Sequence, residues 1–359
     1  MKAKLQKIQE DPLSIKKLSF SEAYDMERLP DGVAQCTNLE KIDLSYSGIK
    51  EIPDYLLALP HLRSLDLLAC THLKKLPKAF WSSQQWKDLA LDCHSEADVE
   101  KVCQMTGLTS LCIGGRVDRL SPKIARLENL QQLELLGTKI KDLPEELSQL
   151  SRLKKVVLSQ MLFGMEKGVR LRLDALFKTL SRCLKLQQLD LSQNEISRIP
   201  ASIGSLGGLR KLSLHSNCLS SLPAEMFALT QLRELDVGIN QLHSIPAGIE
   251  KLQHLKTLKL HSNWQNKIDL TPLWAVVGEL KNLQRLELWS CQSVQQLPET
   301  IADCPKLKHL DVDNNLLRSL PDSLQRMTQL TYLRLSTNQI PPPVIEALKH
   351  HLPKTKILG

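Results

Sequence analysis

The sequence predicts an α/β solenoid: a curved array of repeats in which a parallel sheet lines the concave side and 3₁₀ or α segments form the convex side. Three observations support this fold class. Leucine recurs in the pattern L-x-x-L-x-L-x-x-N, successive copies are mostly 22 to 24 residues apart, and aromatic residues make up only 4% of the chain. Such a core is aliphatic and repetitive, because each unit buries its leucines against its neighbours.

Fourteen copies of the pattern follow one another between residues 15 and 352. Their first positions are Ile15, Leu39, Leu62, Trp86, Leu108, Leu130, Leu153, Leu186, Leu209, Leu232, Leu255, Leu283, Leu307 and Leu330. The L-x-x-L-x-L half has a period of two, which predicts a short strand whose leucines point to one side. The chain is therefore predicted to be one repeat domain, 1–359, with an N-terminal cap at 1–14 and a C-terminal cap at 344–359.

The ninth position of the pattern is expected to turn the chain inward, where a side-chain amide can hydrogen-bond the loop backbone. Asparagine holds this position at Asn194, Asn217, Asn240, Asn263, Asn315 and Asn338. The other units have Ala23, Ser47, Cys70, His94, Arg116, Thr138, Met161 and Cys291 there. The second half of the chain is thus more regular. After each turn, a Leu-Pro segment is expected to return along the outer face as 3₁₀ or α structure.

Four stretches depart from the repeat and predict true helices. Ser95 followed by Asp98 is a capping-box pattern. The long seventh unit contains VRLRLDALFKTLSRC, in which apolar residues recur at helical spacing. In the eleventh unit, Thr271 is expected as the N-cap and Pro272 as the first helical residue. Residues 344–350 predict a closing amphipathic helix, followed by a short edge segment.

Composition narrows the class of partner and the compartment. Lysine and arginine number 47 and aspartate and glutamate 39, a net charge of +8, but the basic residues are scattered, so nucleic-acid binding is not predicted. The sequence has no signal-peptide pattern and no apolar run of 18 residues, so no membrane segment is expected. Nine cysteines without paired spacing fit reduced thiols. A cytoplasmic monomer is predicted; a bacterial protein delivered into the cytosol of another cell without a classical signal peptide would have the same features.

The reactive side chains are interpreted as structural. Cys36, Cys183 and Cys304 stand in for core leucines, Cys70 and Cys291 fill turn positions, and Cys93, Cys112 and Cys218 are expected to be more exposed. No Cys/His spacing matches a zinc site. His215 and His261 lie two strands apart, roughly 10 Å at the usual strand spacing, which is expected to be too wide for a shared metal ion. No catalytic residue, metal or cofactor is predicted.

The exposed sides of the strands in the second half predict a surface that binds a protein partner. Alternation along each strand turns three rows of residues away from the core, with mixed charge, histidines and aromatic rings. The predicted contact residues are Lys211, His215, Asp236, Ile239, Lys259, His261, Trp264, Arg285, Glu287, Trp289, His309, Asp313, Tyr332 and Arg334. Protein interfaces favour aromatic and arginine anchors inside a polar rim.

Three alternatives to this surface stay open. The charges of the second half could simply pair across strands as a solvated ladder, in which each pair contributes little. A more apolar cluster near the N-terminus is a second candidate surface, and it consists of Tyr46, Asp66, Leu68 and Leu136. The helices of the two long units, the seventh and the eleventh, are a third.

Four consecutive units resemble leucine-rich repeats: LQQLDLSQNEISRIPASIGSLGG, LRKLSLHSNCLSSLPAEMFALTQ, LRELDVGINQLHSIPAGIEKLQH and LKTLKLHSN. The L-P-x-x-I/L half is similar to intracellular repeats of bacterial effectors and of plant and animal signalling scaffolds. The resemblance implies a non-enzymatic module that binds a protein on its concave face, and within that class we expect a bacterial effector delivered to a host cell. It also implies an alternative, the substrate-recognition part of a ubiquitin ligase whose catalytic domain is missing from this chain.

Overall fold

A computed structural model describes residues 2–159, 171–263, 265 and 267–359. The chain divides into two compact units, Met1–Met165 and Glu166–Gly359. Within each unit, short parallel strands follow one another in chain order, and turns, 3₁₀ segments and short helices connect them. The predicted fold class, an α/β repeat array built on a parallel sheet, is confirmed within each unit.

Seven strands form the sheet of the first unit. They are β1 (Lys17–Ser19), β2 (Lys41–Asp43), β3 (Ser64–Leu67), β4 (Asp88–Asp92), β5 (Ser110–Gly114), β6 (Gln132–Leu136) and β7 (Lys155–Ser159). The pairing keeps the leucine positions in register, so that Leu65 lies between Ile42 and Leu89. The helices of this unit are α1 (Lys2–Glu10), α2 (Tyr55–Ala58), α3 (Lys78–Ser82) and α4 (Glu96–Val102).

Eight strands form the sheet of the second unit. They are β8 (Gln188–Asp190), β9 (Lys211–Ser213), β10 (Glu234–Asp236), β11 (Thr257–Lys259), β12 (Arg285–Glu287), β13 (His309–Asp311), β14 (Tyr332–Arg334) and β15 (Lys356–Leu358). The helices are α5 (Leu173–Ser181), α6 (Thr271–Trp274) and α7 (Pro342–His351). The predicted closing helix and edge segment correspond to α7 and β15, and β15 pairs with β14.

The core consists of the repeating apolar positions. Leu212, Leu235 and Leu258 lie opposite one another in register and are at most 1% exposed. Burying a side chain of this size stabilises the fold by about 1.5–3 kcal/mol. Trp86, which replaces the first leucine of its unit, is fully buried, as predicted for a structural residue. The periodic leucines therefore supply one continuous aliphatic layer within each unit.

The turn asparagines of the second unit form a buried hydrogen-bond ladder. Asn217 donates from Nδ2 to the carbonyl oxygens of Leu191 and Leu214, both at 2.9 Å. Its Oδ1 accepts the backbone N–H groups of Asn194 and Ile196 at 3.0 and 2.9 Å. The same pattern recurs at Asn240, Asn263 and Asn338. One amide thus satisfies backbone groups of two repeats, which confirms the predicted role of this position.

Cysteine at the turn position reproduces part of this pattern. The Cys70 thiol donates to the carbonyl oxygen of Leu44 at 3.0 Å, and the Cys291 thiol donates to that of Leu260 at 3.4 Å. These carbonyls are equivalent to the one that Asn217 reaches in the preceding repeat. The five cysteines predicted to be structural are all buried: Cys36, Cys70, Cys183, Cys291 and Cys304.

The prediction of greater exposure for three other cysteines is partly wrong. Cys93 and Cys112 are buried, and Cys218 is half-buried. The reason is that β4 and β5 each run for five residues. Cys112 therefore lies within a strand flanked by other strands on both sides, and Cys93 lies directly after one.

Three 3₁₀ segments and helix α4 begin where the sequence predicts, and helix α6 begins one residue earlier than predicted. Pro200, Pro223 and Pro321 each immediately precede a 3₁₀ segment, as the Leu-Pro pattern predicts. Ser95 caps α4, and its Oγ accepts the N–H of Asp98 at 3.2 Å. The prediction for Thr271 is wrong by one position: Leu270 is the N-cap, and Oδ1 of Asp269 accepts the N–H of Thr271 at 2.9 Å.

The seventh repeat is described only in part. Helix α5 begins at Leu173 and confirms most of the predicted helical stretch, while residues 169 and 170 of that stretch lie outside the described residues. Among the residues that the structure describes, no helix has both the length and the apolar character needed to cross a bilayer.

Candidate protein-binding surface

Three rows of side chains cross the exposed face of the second-unit sheet. The first two rows lie on the strands and hold the predicted register. Row one is Lys211, Glu234, Thr257, Arg285, His309 and Tyr332; row two is Ser213, Asp236, Lys259, Glu287, Asp311 and Arg334. Row three lies two residues beyond the strand ends and consists of His215, Gly238, His261, Trp289 and Asp313. We call these three rows the second-unit strand face.

A stack of rings occupies the third row. The rings of His261 and Trp289 are stacked with centroids 4.2 Å apart and planes 8° from parallel. The ring of His215 meets the other side of His261, with centroids 5.4 Å apart and planes inclined by 51°. Three rings from three different repeats are therefore in contact, an arrangement that aromatic packing favours.

The predicted separation of roughly 10 Å between the two histidines is wrong for their side chains, because strand spacing describes only the backbone. Gly238 lies between them, and a Cβ added there would come within 2.5 Å of Cε1 and Nε2 of His261. The ring of His261 thus lies over the glycine and approaches His215. This position also buries His261 to 6% exposure, so the prediction that it faces a partner freely is wrong as well.

Two further rings stack on the neighbouring strands. The rings of His309 and Tyr332 lie 4.4 Å apart and within 4° of parallel. Nη1 of Arg285 lies 3.4 Å from Nε2 of His309. Burial, with a further contribution from Arg285, lowers the pKa of His309. The second-unit strand face therefore carries two preformed ring stacks, His261 with Trp289 and His309 with Tyr332.

Ion pairs surround the ring stacks, as the solvated-ladder alternative expects. Lys211 pairs with Glu234 at 3.1 Å, Lys259 with Asp236 at 3.2 Å, Arg285 with Glu287 at 2.9 Å and Arg334 with Asp313 at 2.9 Å. Asp313, one of the predicted contact residues, is only 9% exposed and pairs with its strand neighbour Arg334. The charges of this face are thus largely paired within the molecule.

Asp236 lies at the centre of the charged rows. Its Oδ1 accepts the N–H of Gly238 at 3.0 Å and lies 3.5 Å from Nδ1 of His215, while its Oδ2 meets Lys259. Burial acts to raise the pKa of this carboxyl, but His215, the Gly238 N–H and Lys259 together outweigh burial and lower the pKa to about 2. The carboxylate is therefore ionised at neutral pH, although it is largely enclosed.

Ile239 is the most exposed apolar residue beside the ring stack. Its side chain is 43% exposed, and its backbone φ is 52°. This left-handed conformation is unfavourable for a β-branched residue. The residue before the turn position adopts it repeatedly, for example at Tyr46, Ser216 and Ser262. Trp264, the other residue predicted at this margin, lies outside the described residues.

The alternative surface of the first unit differs in character. Tyr46 is 49% exposed, and Asp66, Leu68 and Leu136 are half-buried. Burial is the main cause of a raised pKa at Asp66, and the nearby carboxylates of Asp43 and Asp92 add to it. This cluster has an exposed ring, but none of the ring contacts found between described residues involves Tyr46.

Five buried thiols of the chain are poorly suited to nucleophilic catalysis. Burial raises the pKa of Cys93, Cys103 and Cys291 to about 12, and of Cys183 and Cys304 to about 11. The attacking species in cysteine chemistry is the thiolate, which these groups do not form near neutral pH.

Two family models match the second half of the chain. A model described as a leucine-rich repeat region matches residues 168–293, and one described as a leucine rich repeat matches residues 281–340. TMV resistance protein N of Nicotiana glutinosa is 26% identical over 226 residues, which cover 56% of this chain and 18% of that protein. The match thus spans less than a fifth of that relative.

Solved structures extend the likeness to nearly the whole chain. A leucine-rich repeat protein of Leptospira interrogans, LIC12759, is 26% identical, with a TM-score of 0.61 and coverage of 98% of this chain and 97% of that one. TLR13, solved in a complex with ssRNA13, has a TM-score of 0.65 at 20% identity, and the match covers 96% of this chain and 54% of that one. The second likeness concerns the fold alone.

Proposed function

We propose that this chain, which is a leucine-rich repeat protein, is a non-enzymatic interaction module that binds a partner protein through the second-unit strand face. The observation that carries the proposal is the pair of ring stacks on that face, His261 with Trp289 and His309 with Tyr332. Leucine-rich repeat folds serve in general as protein-binding scaffolds. We assign that role to a particular surface of this chain.

The ring stacks suit an interface because they are already ordered. Interfaces are enriched in aromatic residues and arginine, and a few such anchors supply most of the binding energy. The ion pair of Asp236 with Lys259 and the contact of Arg285 with His309 hold the surrounding side chains in place. The side chains of this face therefore lose little additional conformational entropy when a partner binds there.

The chemistry of the face indicates the kind of partner. Ile239 and Trp289 offer an apolar centre, to which an aliphatic or aromatic side chain of the partner can bind. Lys211 and Arg285 are exposed at the rim. Paired rim charges contribute to specificity and association rate more than to affinity. We propose a folded protein or peptide with a hydrophobic anchor flanked by polar groups.

The test compares two tryptophans of the second unit, Trp289 and Trp274. Trp289→Ala removes one ring of the stack, whereas Trp274→Ala removes a half-buried tryptophan of α6, away from the strand face. Pull-down from candidate host cytosol identifies the partner, and calorimetry then gives its affinity. We expect Trp289→Ala to weaken binding by more than about 1 kcal/mol and Trp274→Ala to leave it unchanged. Full affinity of a folded Trp289→Ala variant would overturn the proposal.

We further propose that the chain acts in the cytoplasm of a host cell as a bacterial effector. The support is the 26% identity to a leucine-rich repeat protein of Leptospira interrogans over nearly the full length of both chains. All nine cysteines lie within the described residues and none is joined in a disulfide, which suits a reducing compartment. A fusion to a reporter enzyme that is active only in host cytosol tests delivery. No reporter signal in host cells exposed to bacteria that express the fusion would contradict the effector role.

We expect no binding to nucleic acid, because lysine and arginine on the second-unit strand face are paired with acidic side chains. Titration of single-stranded RNA at low and at physiological salt tests this expectation. Phosphate contacts give an affinity that falls steeply as salt rises. RNA binding that shows this dependence and is lost in Lys211→Ala would indicate that the partner is RNA and not a protein.

A further inference from the structure

We propose that His215, Asp236 and His261 form a binding site for a divalent transition-metal ion such as Zn²⁺. One ligand atom of each residue lies within 4.8 Å of those of the other two. The three side chains come from three consecutive repeats of the second unit and meet on its strand face. Imidazole and carboxylate are usual zinc ligands, and three protein ligands with an open fourth position are a common arrangement.

Gly238 makes this cluster possible. With no side chain at this position, the ring of His261 lies over the glycine backbone, where any Cβ would approach Cε1 and Nε2 to 2.5 Å. The N–H of Gly238 also fixes Oδ1 of Asp236, at 3.0 Å. The glycine therefore brings one imidazole toward the other and orients the carboxylate oxygen that faces them.

The imidazole nitrogens are poorly satisfied by the protein itself. Nδ1 of His215 lies 3.5 Å from Oδ1 of Asp236, beyond the normal range of a hydrogen bond. Nδ1 of His261 is buried and has no hydrogen-bond partner among the described residues. A buried polar atom without a partner is costly, and coordination of an ion by the imidazoles would offset that cost.

The ligand atoms need only a modest adjustment to hold an ion. Zinc–ligand bonds of about 2.0–2.2 Å place tetrahedral ligand atoms about 3.3 Å apart. The cluster must therefore contract by up to roughly 1.5 Å, which a rotation of the imidazole of His215 can supply. That side chain is 29% exposed and forms the outer edge of the site. His261, stacked on Trp289, provides the fixed side.

The charges around the cluster select the class of ion. Lys259 lies 3.2 Å from Oδ2 of Asp236 and offsets its charge. An ion such as Ca²⁺ or Mg²⁺, which depends on several oxygen ligands, is poorly served here. Zn²⁺, Cu²⁺ and Ni²⁺ bind imidazole nitrogen well and are favoured by two histidines. The same lysine is expected to weaken binding of any cation, which gives the site a distinctive response to mutation.

The experiment measures Zn²⁺ binding to the full chain by titration calorimetry after treatment with a chelator. We expect one site, and an affinity lowered at least tenfold in His215→Ala, in His261→Ala and in Gly238→Ala, the last of which keeps every ligand but displaces the ring of His261. Lys259→Met should raise the affinity, because it removes the competing positive charge. His254→Ala, an exposed histidine outside the cluster, is the matched control.

A second readout follows the ring next to the site. Cu²⁺ bound there should quench the fluorescence of Trp289. This loss of fluorescence on addition of Cu²⁺ should be absent in Trp289→Phe. Circular dichroism checks the fold of each variant. Unchanged Zn²⁺ affinity in folded His215→Ala and in folded Gly238→Ala would overturn the proposal, because the ion would then be bound elsewhere. Equal affinities of Lys259→Met and the unmodified chain would also contradict it.

Discussion

Asp66 in the first unit and Asp236 in the second occupy equivalent places in their repeats. In each, Oδ1 accepts the backbone N–H two residues further on at 3.0 Å. Their pKa values nevertheless move in opposite directions. Burial, with like charge from Asp43, raises the pKa of Asp66, whereas His215 and other partners lower that of Asp236 despite burial. The repeat thus fixes the position of the side chain, and the neighbouring strands determine its charge.

The two units also differ at the turn. In the second unit all eight strands have three residues, and a buried asparagine occupies the turn that follows most of them. In the first unit β4 to β7 run for five residues, and the described turn positions that follow β4, β5 and β6 hold His94, Arg116 and Thr138. The five-residue strands thus all precede a turn without a described asparagine. The absence of an asparagine is not sufficient for a long strand, because β1, β2 and β12 have three residues although Ala23, Ser47 and Cys291 hold their turn positions.

The largest effect is expected from removal of a ladder amide. Asn217→Ala leaves two backbone N–H groups and at least two carbonyl groups without their partner. We expect the free energy of unfolding to fall by about 3 kcal/mol, since each buried group left unpaired costs about 1–3 kcal/mol and water compensates some of them. Urea denaturation followed by circular dichroism measures this change.

Cys70→Ala is the matched variant in the first unit. It removes two weak hydrogen bonds of the thiol, with the carbonyl oxygen of Leu44 at 3.0 Å and with the hydroxyl of Ser47 at 3.8 Å, and one sulfur atom from the core. We expect a loss of about 1 kcal/mol. Equal losses in Asn217→Ala and Cys70→Ala would show that the asparagine ladder is not what distinguishes the two units.

The aspartate pair predicts mutational effects of opposite sign. At pH 7, Asp236→Asn should destabilise the protein by about 1–2 kcal/mol, after allowance for the partial exposure of Lys259. Asp66→Asn should instead stabilise it, because the ionised form of Asp66 is the unfavourable one. Denaturation of both variants beside the unmodified chain checks the signs, and two changes of the same sign would refute this comparison.

The pH dependence of the Asp236 variant follows from the same values. A carboxyl whose folded pKa is about 2, against an ordinary value of 3.8, contributes stability that is present above pH 3.8. That contribution is lost as the pH falls through about 2. The stability difference between Asp236→Asn and the unmodified chain should therefore shrink between pH 4 and pH 2. A difference that persists at pH 2 would show that the charge of Asp236 is not its cause.

The smallest effect is expected at Ile239. Its left-handed backbone, with φ of 52°, costs an isoleucine about 1 kcal/mol more than an asparagine. Ile239→Asn should therefore raise the midpoint of thermal unfolding by a few degrees and weaken partner binding, because the exposed apolar side chain is lost. Ser216→Asn, at the equivalent left-handed position of the preceding repeat, is the control. An Ile239→Asn variant that binds fully would remove Ile239 from the proposed surface.

The sequence predicts the fold more fully than the surface. Leucine period, Leu-Pro returns and turn asparagines are local patterns, and each dictates the structure of its own repeat. The contact of His261 with His215 depends on reach across Gly238, which strand spacing alone does not reveal. The burial of Asp313 likewise depends on where the long side chain of Arg334 lies. The glycine between two histidines was the one sequence feature that could have indicated the ring contact.

The proposal that the second-unit strand face binds the partner is tested most directly by comparing Trp289→Ala with Tyr46→Ala in one binding measurement. Each variant removes an aromatic ring from one of the two candidate surfaces. With the captured partner, calorimetry should show a dissociation constant at least about tenfold weaker for Trp289→Ala, equivalent to about 1.4 kcal/mol. Tyr46→Ala should bind as the unmodified chain does. A weakened Tyr46→Ala beside an unaffected Trp289→Ala would contradict the proposal and move the binding surface to the first unit.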